Sequence, residues 1–196
     1  MRKATFLRKT SETDVSVSID LDGRGEGRLN TSVPFLDHML NLFARHGRLD
    51  LTVQGCGDTA VDDHHLVEDV GICVGEAVKK AVGQKQGMNR YGWAVVPMDE
   101  SLCSVALDLS GRPYLIWNAV LGRQRIGGFD PDLLREFFKA VSDHGGMTLH
   151  INLMYGMNSH HMAEAIFKAF AMAFSGAVAV DRRIEGVMST KGSLDT

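Results

Sequence analysis

The sequence predicts an α+β fold built from two copies of one β-β-β-α-β-α unit. Strand-like and helix-like patterns follow the same order in both halves, and the motifs Asp-Leu-x-Gly-Arg and His-His-x-x-Glu recur in the same relative order. Chance similarity between two amphipathic halves does not explain both motifs. Each unit is expected to form a mixed or antiparallel four-stranded sheet with two helices on one face. The helices of both units then pack into a shared layer between two four-stranded sheets.

Alternation of polar and apolar residues predicts the strands of the first half, and a period near 3.6 predicts its helices. The predicted strands are residues 4–9, 15–21, 27–31 and 49–53, and the predicted helices are residues 34–47 and 62–82. Gly47 is expected to cap the end of the first helix. Asp62, and Ser159 in the second half, are expected to cap the starts of the histidine-bearing helices.

The same order of elements returns from Tyr91 onward. Residues 12–24 align without a gap on residues 100–112, and the strand at 49–53 aligns on residues 147–151. The two His-His-x-x-Glu units coincide after a gap of two residues. The chain is therefore expected to contain a first half at residues 1–87, a second half at residues 88–182 and a C-terminal tail at residues 183–196.

Composition narrows the function classes. Of 196 residues, 44% are hydrophobic and 23% charged, and the net charge of −3 comes without a basic stripe, which argues against nucleic-acid binding. No apolar run reaches the roughly 18 residues of a membrane span, and Met1 leads into a strand-like pattern rather than a secretory signal. Cys56, Cys73 and Cys103 show no Cys-x-x-Cys spacing. We therefore expect a cytosolic protein without a disulfide framework or a thiolate zinc site.

The repeated His-His-x-x-Glu unit predicts metal binding. Its members are His64, His65 and Glu68 in the first half and His160, His161 and Glu164 in the second. On a helix the first histidine and the glutamate share one face, whereas the second histidine points about 100° away. One turn can therefore supply ligands to two ions, and imidazole with carboxylate suits manganese, iron or zinc. The alternative is that these histidines are only polar groups at a helix N-terminus.

Two further residues become candidate ligands by their place in the repeat. His38 and Glu136 occupy matched positions in the helix before each motif, which brings the candidates to eight. Sites of three or four protein ligands with open positions are typical of catalytic metals. The alternative for Glu136 is a solvated helix surface. His46 and His144 precede glycine at helix ends and are expected to be C-terminal caps.

Other residues suit an anion or a proton transfer. Arg112 follows a glycine turn, Arg90 lies in the connection between the halves, and residues 189–193 combine hydroxyls, glycine N–H groups and an ammonium. Such groups hold phosphate, although residues 189–193 also fit an ordinary chain terminus. The repeat-matched Glu12 and Glu100 are candidates for a general base.

Together these motifs resemble the imidazoleglycerol-phosphate dehydratases of histidine biosynthesis. The resemblance covers nearly the whole chain and rests on residues 35–40, 62–65, 68–69, 97–100, 108–112, 158–161, 167–169 and 189–192. It implies a fold similar to two copies of the ribosomal protein S5 domain 2-like unit. It also implies two manganese ions per active site and a symmetric assembly of about 24 chains with active sites between subunits. Ser32 and Met188 stand where glycine and proline are usual in the family.

The resemblance also implies residue roles. The implied metal ligands are His38, His64, His65, Glu68, Glu136, His160, His161 and Glu164. The implied phosphate-binding residues are Arg90, Arg112, Ser189 and Lys191, with the tail contributing to phosphate binding. The implied base is Glu12.

The implied reaction is the dehydration of imidazole glycerol phosphate to imidazole acetol phosphate. An imidazolate bound between two metal ions is expected to expel the hydroxyl next to the ring, after which Glu12, or else Glu100, removes a proton from the neighbouring carbon. Two other functions fit the same residue types. A dinuclear metallohydrolase would attack a phosphate ester, and a metal-storage protein would bind ions without turnover.

Overall fold

The computed structural model describes residues 2–122 and 124–194, which form two mixed four-stranded sheets and four helices. The strands are Lys3–Lys9 (β1), Thr13–Asp20 (β2), Gly27–Asn30 (β3), Asp50–Gly57 (β4), Tyr91–Met98 (β5), Ser101–Asp108 (β6), Tyr114–Asn118 (β7) and Thr148–Tyr155 (β8). The helices are Pro34–Gly47 (α1), His64–Val82 (α2), Leu133–Gly145 (α3) and Ser159–Val178 (α4). The predicted α+β class and the repeated order of elements are confirmed.

Each half of the chain forms one sheet, and both sheets have the same topology. The strand orders are β1-β2-β4-β3 and β5-β6-β8-β7. In each sheet the first three of these strands are antiparallel, and the last is parallel to its neighbour because a helix links the two. The alternation predicted for β2 places Val15, Val17 and Ile19 on the buried face. The sheets are therefore mixed, with one face turned to the helices.

The helices of the two halves pack across one another in a layer between the sheets. Helix α2 covers β1 and β2 and contacts α3, whereas α4 covers β5 and β6 and contacts α1. Two glycines one turn apart let α2 and α3 touch at backbone distance. A Cβ on Gly71 would lie 2.7 Å from the carbonyl oxygen of Phe137, and one on Gly75 would lie 2.8 Å from the amide nitrogen of Gly145. The cross-packing sets α1 of the first half beside α4 of the second.

Two of the predicted helix-end details are wrong. Helix α1 ends at Gly47, but the left-handed residue is Arg48 with φ 56°, which allows the N–H of Leu49 to reach the carbonyl of Ala44 at 3.2 Å. His144 does not serve as a cap of α3, because its Nδ1 lies 3.2 Å from Glu76 Oε1 in α2. It links the two helices instead. Among the described residues, no helix has both the length and the apolar character that a bilayer crossing requires.

The close packing of Gly92 against α4 predicts a large loss of stability when a side chain is added. A Cβ at this position in β5 would overlap the carbonyl oxygen of Ala173 in α4. Because backbone cannot yield as a side chain does, Gly92→Ala should lower the free energy of unfolding by about 3 kcal/mol or more. Gly128→Ala is the matched control, since a Cβ there meets no atom within 4 Å. Urea unfolding of both variants measures the difference, and equal stabilities would refute the close contact.

Candidate active site

The N-termini of α2 and α4 hold the two His-His-x-x-Glu motifs. At α4 the cap is Asn158 rather than the predicted Ser159, because the Asn158 side chain accepts the N–H groups of His160 and His161. Ser159 instead donates its hydroxyl to the carbonyl of Leu121 at 2.7 Å. At α2 the N-cap residue is Asp63 rather than the predicted Asp62, and its side chain makes no capping hydrogen bond. Asp62 precedes the cap and accepts the N–H of His64 at 2.8 Å. A side-chain cap therefore fixes the first turn of α4, whereas at α2 the hydrogen bond with Asp62 holds the backbone of His64.

The first cluster joins residues of both halves. His38 on α1 and His160 on α4 each place Nε2 3.1 Å from the same oxygen, Glu164 Oε1. Burial would raise the pKa of Glu164, but hydrogen bonds from Lys168 and the two histidines outweigh burial and lower it to about 2. Glu164 is therefore an ionised carboxylate between two imidazoles. Because the potential ligand atoms of the three residues lie within 4.8 Å of one another, they form a group that can hold a metal ion.

Lys168 was not among the predicted site residues, although it lies in the first cluster. Its Nζ is 2.7 Å from Glu164 Oε2, and both side chains are largely buried. The signal in the sequence is the four-residue spacing from Glu164, which puts the two on one helix face. Lys168 supplies a positive charge to a carboxylate that would otherwise be buried without one.

Glu100 holds the second histidine of α4. Its Oε2 lies 2.7 Å from His161 Nδ1, and its Oε1 accepts the N–H groups of Met157 and Asn158 at 3.2 and 2.8 Å. The hydrogen bond with His161 is the main reason why the pKa of Glu100 lies well below its usual range. The same bond raises the pKa of His161. A carboxylate on Nδ1 leaves Nε2 free for a metal, as in many metal-binding histidines.

Asp58 performs the corresponding task in the first half. Its Oδ2 lies 3.0 Å from His65 Nδ1, whereas the Oε2 of Glu12, the repeat partner of Glu100, is 3.8 Å away. The hydrogen bond with Asp58 raises the pKa of His65. Asp58 was missed because it has no counterpart in the repeat: counting from the paired strands β4 and β8, Gly156 stands at its place. Glu12, Asp58 and His65 form the second group with metal-ligating atoms within 4.8 Å.

Among the described residues, four predicted ligands lie outside both groups of potential metal ligands: His64, Glu68, Glu136 and His161. His64 Nε2 and Glu68 Oε2 share a face of α2 at 3.9 Å, and both side chains are half-buried. Glu136 lies on α3, where Arg135 Nη1 donates to it at 2.8 Å. Within the described residues, Glu136 belongs to neither of the two groups of potential ligands. It lines a separate cavity of about 480 Å³ beside Trp117.

The loop between β7 and α3 separates the two motifs. Arg125 in this loop lines a cavity of about 590 Å³ over His160 and His161, and also a cavity of about 290 Å³ beside Asp62 and Asp63. The corresponding connection of the first half, between β3 and α1, is only three residues long. Comparison of the two halves therefore did not indicate Arg125 as a site residue. Its guanidinium brings positive charge to the region between the motifs.

The predicted phosphate-binding residues surround one cavity of about 680 Å³. Its lining includes Arg90, Arg112, Ser189 and Lys191, together with Arg183. We call this space the anion cavity.

Arg90 is almost fully buried and connects the anion cavity to the tail. Its Nε and Nη2 donate to the two Asp108 carboxylate oxygens at 2.6 and 2.9 Å, and its Nη1 donates to the carbonyl of Met188 at 2.9 Å. Two sides of the guanidinium are thus engaged in holding the tail against β6. Arg112 and Lys191 are exposed and offer charge to a ligand.

The anion cavity and the His161 side chain lie at opposite ends of the second sheet. Arg90 directly precedes β5, and Glu100, which holds His161, follows the other end of the same strand. A strand rises about 3.3 Å per residue, so this separation is roughly 25 Å.

Comparison with known proteins identifies relatives over nearly the full length. A sequence model of imidazoleglycerol-phosphate dehydratase matches residues 31–174. The imidazoleglycerol-phosphate dehydratase of Syntrophus aciditrophicus is 63% identical over 195 residues, 99% of both chains. That of Geobacter metallireducens is 58% identical over 98% of this chain and 99% of the relative. Among solved structures, imidazoleglycerol-phosphate dehydratase from Staphylococcus aureus is 41% identical, with a TM-score of 0.83 over 91% of this chain and 99% of that one. The enzyme from Pyrococcus furiosus is 35% identical, also with a TM-score of 0.83, over 96% and 99%.

Proposed function

This chain belongs to the imidazoleglycerol-phosphate dehydratase family, and we propose that it dehydrates D-erythro-imidazole glycerol phosphate to imidazole acetol phosphate in histidine biosynthesis. The observation that carries the proposal is the presence of two complementary binding groups in one fold. Imidazole and carboxylate clusters suit metal ions that bind the substrate ring, and the anion cavity suits its phosphate. The protein thus offers one binding group for the ring of the substrate and another for its phosphate.

The donor sets fit divalent metal ions. Imidazole nitrogens and a carboxylate oxygen converge at His38, His160 and Glu164, and His65 and His161 each have a carboxylate on Nδ1 that orients the ring. We propose two Mn²⁺ per active site. The proposed ligands are His38, His64, His65, Glu68, Glu136, His160, His161 and Glu164. When bound, such ions would stabilise the imidazolate form of the substrate ring, whose electrons help expel the neighbouring hydroxyl.

Glu12 is the proposed base that removes the carbon-bound proton. Its carboxylate is about half exposed and lies 3.8 Å from His65, which Asp58 already holds. Glu100 is unsuited to the task, because four hydrogen-bond donors engage it and its pKa is low. The two repeat-matched glutamates have therefore diverged, one toward orienting a histidine and one toward accepting a proton.

The anion cavity is the proposed site of the substrate phosphate. Arg112, Ser189 and Lys191 would contact the phosphate, while Arg90 positions the tail through the carbonyl of Met188. Holding the phosphate fixes the carbon chain relative to Glu12 and the ring, and such orientation contributes several kcal/mol to catalysis. The tail at residues 183–196 acts in this proposal as part of the phosphate site.

Distance implies that one chain does not complete the active site. Five bonds of about 1.5 Å join the substrate ring to phosphorus, a reach of at most about 8 Å. The anion cavity lies roughly 25 Å from His161 along β5. We therefore propose that each active site combines the anion cavity of one chain with metal ligands of another. The symmetric homo-oligomer of about 24 chains that the family resemblance implies would supply such contacts. The proposed location is the cytosol, in keeping with three cysteines that are free among the described residues.

An assay with purified, manganese-loaded protein tests the activity. Incubation with imidazole glycerol phosphate should yield imidazole acetol phosphate without release of inorganic phosphate. A metallohydrolase would release phosphate from this substrate or from simple phosphate esters, and a storage protein would take up metal without turnover. Absence of the keto product from the loaded protein would refute the proposed function.

Metal binding should weaken in acid. Hydrogen bonds with Asp58 and Glu100 raise the pKa values of His65 and His161, so both rings hold a proton to a higher pH than an ordinary histidine. A metal ion binds only the neutral ring. The affinity for Mn²⁺ is therefore highest above these raised pKa values and falls as the pH drops through them. The Kd for Mn²⁺ should rise roughly tenfold or more between pH 8 and pH 6. Titration by electron paramagnetic resonance measures this, and an affinity independent of pH would contradict it.

A further inference from the structure

Asp69 is a buried carboxylate that the proposed reaction does not use. It follows Glu68 in α2 and is only 7% exposed. Its Oδ1 accepts the Nε–H of Arg8 in β1 at 2.8 Å, and its Oδ2 accepts the hydroxyl of Thr13 at the start of β2. Each carboxylate oxygen therefore has its own donor, and the side chain joins α2 to β1 and β2.

A chain of hydroxyl groups continues from Asp69 to the backbone of Glu12. Because the Thr13 hydroxyl donates to a carboxylate, it is the acceptor of the Thr10 hydroxyl at 3.2 Å. The Thr10 oxygen in turn accepts the N–H of Glu12 at 3.1 Å and that of Thr13 at 3.0 Å. On its other side, the Glu12 carbonyl accepts the N–H of Asp58 at 3.1 Å. The backbone of the proposed base is therefore held from both sides, while its carboxylate stays about half exposed.

The second half of the repeat does not carry this network. The residues that match Asp69, Arg8 and Thr10 are Ala165, Val96 and Met98. The glutamate of that half, Glu100, holds His161 instead of accepting a proton. The buried carboxylate thus accompanies only the glutamate that is proposed to act as the base.

We propose that Asp69 is a positioning residue for Glu12, acting through the Thr13 hydroxyl. Asp69 lies on the helix that carries three proposed metal ligands, so its bond to Thr13 fixes the strand of the base against that helix. Proton transfer requires the base to lie within hydrogen-bond reach of the proton. A misplacement of about 1 Å can cost about 10² in rate. The inference rests on the proposed role of Glu12 and adds the group that holds it in place.

Thr13→Val tests the proposal, because valine keeps the branched shape of threonine and removes the hydroxyl. The kcat for imidazole glycerol phosphate should fall by about 10- to 100-fold. KM and the Kd for Mn²⁺ should stay near the wild-type values, because the change touches neither the anion cavity nor a proposed metal ligand. Thr13→Ser keeps the hydroxyl and should retain most of the activity. Thr5→Val is the control, since it removes an exposed hydroxyl that pairs with Ser18 at 2.8 Å, and it should leave kcat unchanged.

A double-mutant cycle separates positioning from a purely structural role. If the hydroxyl acts through Glu12, Thr13→Val should cause no further loss in a Glu12→Gln background, and the two variants should have equal kcat. A bond that only holds β2 against α2 would lower kcat by the same factor in both backgrounds. Equal factors, or an unchanged kcat in folded Thr13→Val, would overturn the proposal.

Asp69→Asn covers the case in which Thr13→Val does not fold. Its amide offers one oxygen to two donors, Arg8 and Thr13, so kcat should again fall in the wild-type background and not in Glu12→Gln. Circular dichroism reports whether each variant is folded, and equal losses in both backgrounds would again overturn the proposal. Near-normal turnover by Glu12→Gln alone would remove the base and this inference together. Equal losses beside an inactive Glu12→Gln would remove the inference and leave the base.

Discussion

Glu12→Gln should lower kcat by about 10³ while leaving the metal content unchanged, because a proton acceptor in the transition state contributes 10² to 10⁴ in rate. The amide keeps the size of the side chain but accepts no proton at neutral pH. Glu12 lies 3.8 Å from His65, whose ring Asp58 holds at 3.0 Å, so removal of the Glu12 charge does not release the histidine. The measurement combines steady-state kinetics with manganese analysis of the same sample.

The matched control is Glu100→Gln at the equivalent position of the second half. Glu100 holds His161 and two backbone N–H groups, so this change should weaken Mn²⁺ binding by about 10- to 100-fold. Excess Mn²⁺ should then restore much of the activity of Glu100→Gln and none of that of Glu12→Gln. Near-normal turnover by Glu12→Gln, or rescue of it by metal, would remove Glu12 from the role of base.

The second large effect is expected at the cluster that joins the two halves. His160→Ala removes one of the two imidazoles that meet Glu164 Oε1 at 3.1 Å, and should reduce both Mn²⁺ content and turnover, the latter by about 10³ or more. The remaining His38 and Glu164 offer too few ligands to retain the ion. Elemental analysis after gel filtration, together with kcat, tests this.

His144→Ala is the control, because it removes a histidine that is not a candidate metal ligand. His144 links α3 to Glu76 of α2 and belongs to neither cluster. Its loss should leave metal content and kcat near the wild-type values. Full metal occupancy in His160→Ala would show that the cluster of His38, His160 and Glu164 is not a metal site.

The repeat in the sequence predicted the fold well because it fixed the order of elements twice. Alternation in β2 and the matched strand at 147–151 gave the buried faces, and the paired motifs gave the starts of α2 and α4. The helix-end details failed because several residues compete for each cap. At α4 the N-cap is Asn158 and not Ser159. At α1 the residue in the left-handed conformation is Arg48 and not Gly47.

The contacts between halves were beyond what the repeat predicts. That His38 meets Glu164 follows from the packing of α1 of the first half on α4 of the second. Asp58 was missed because the second half has no carboxylate there, and Lys168 because helix spacing alone does not reveal a buried charge. The sequence thus predicted the residue types of the site, whereas the contacts between them depend on how the helices of the two halves pack.

Each active site is expected to combine the anion cavity of one chain with the metal ligands of another. The most direct test co-expresses two inactive chains, His160→Ala and the double variant Arg112→Ala/Lys191→Ala. Shared sites should restore about a quarter of wild-type activity, since random pairing leaves one site in four with both groups intact. Co-expression of His160→Ala with Glu164→Gln, which damage the same cluster, should restore none. If the first pair also stays inactive in a mixed assembly of wild-type size, the active site lies within one chain and the proposal of shared sites is refuted.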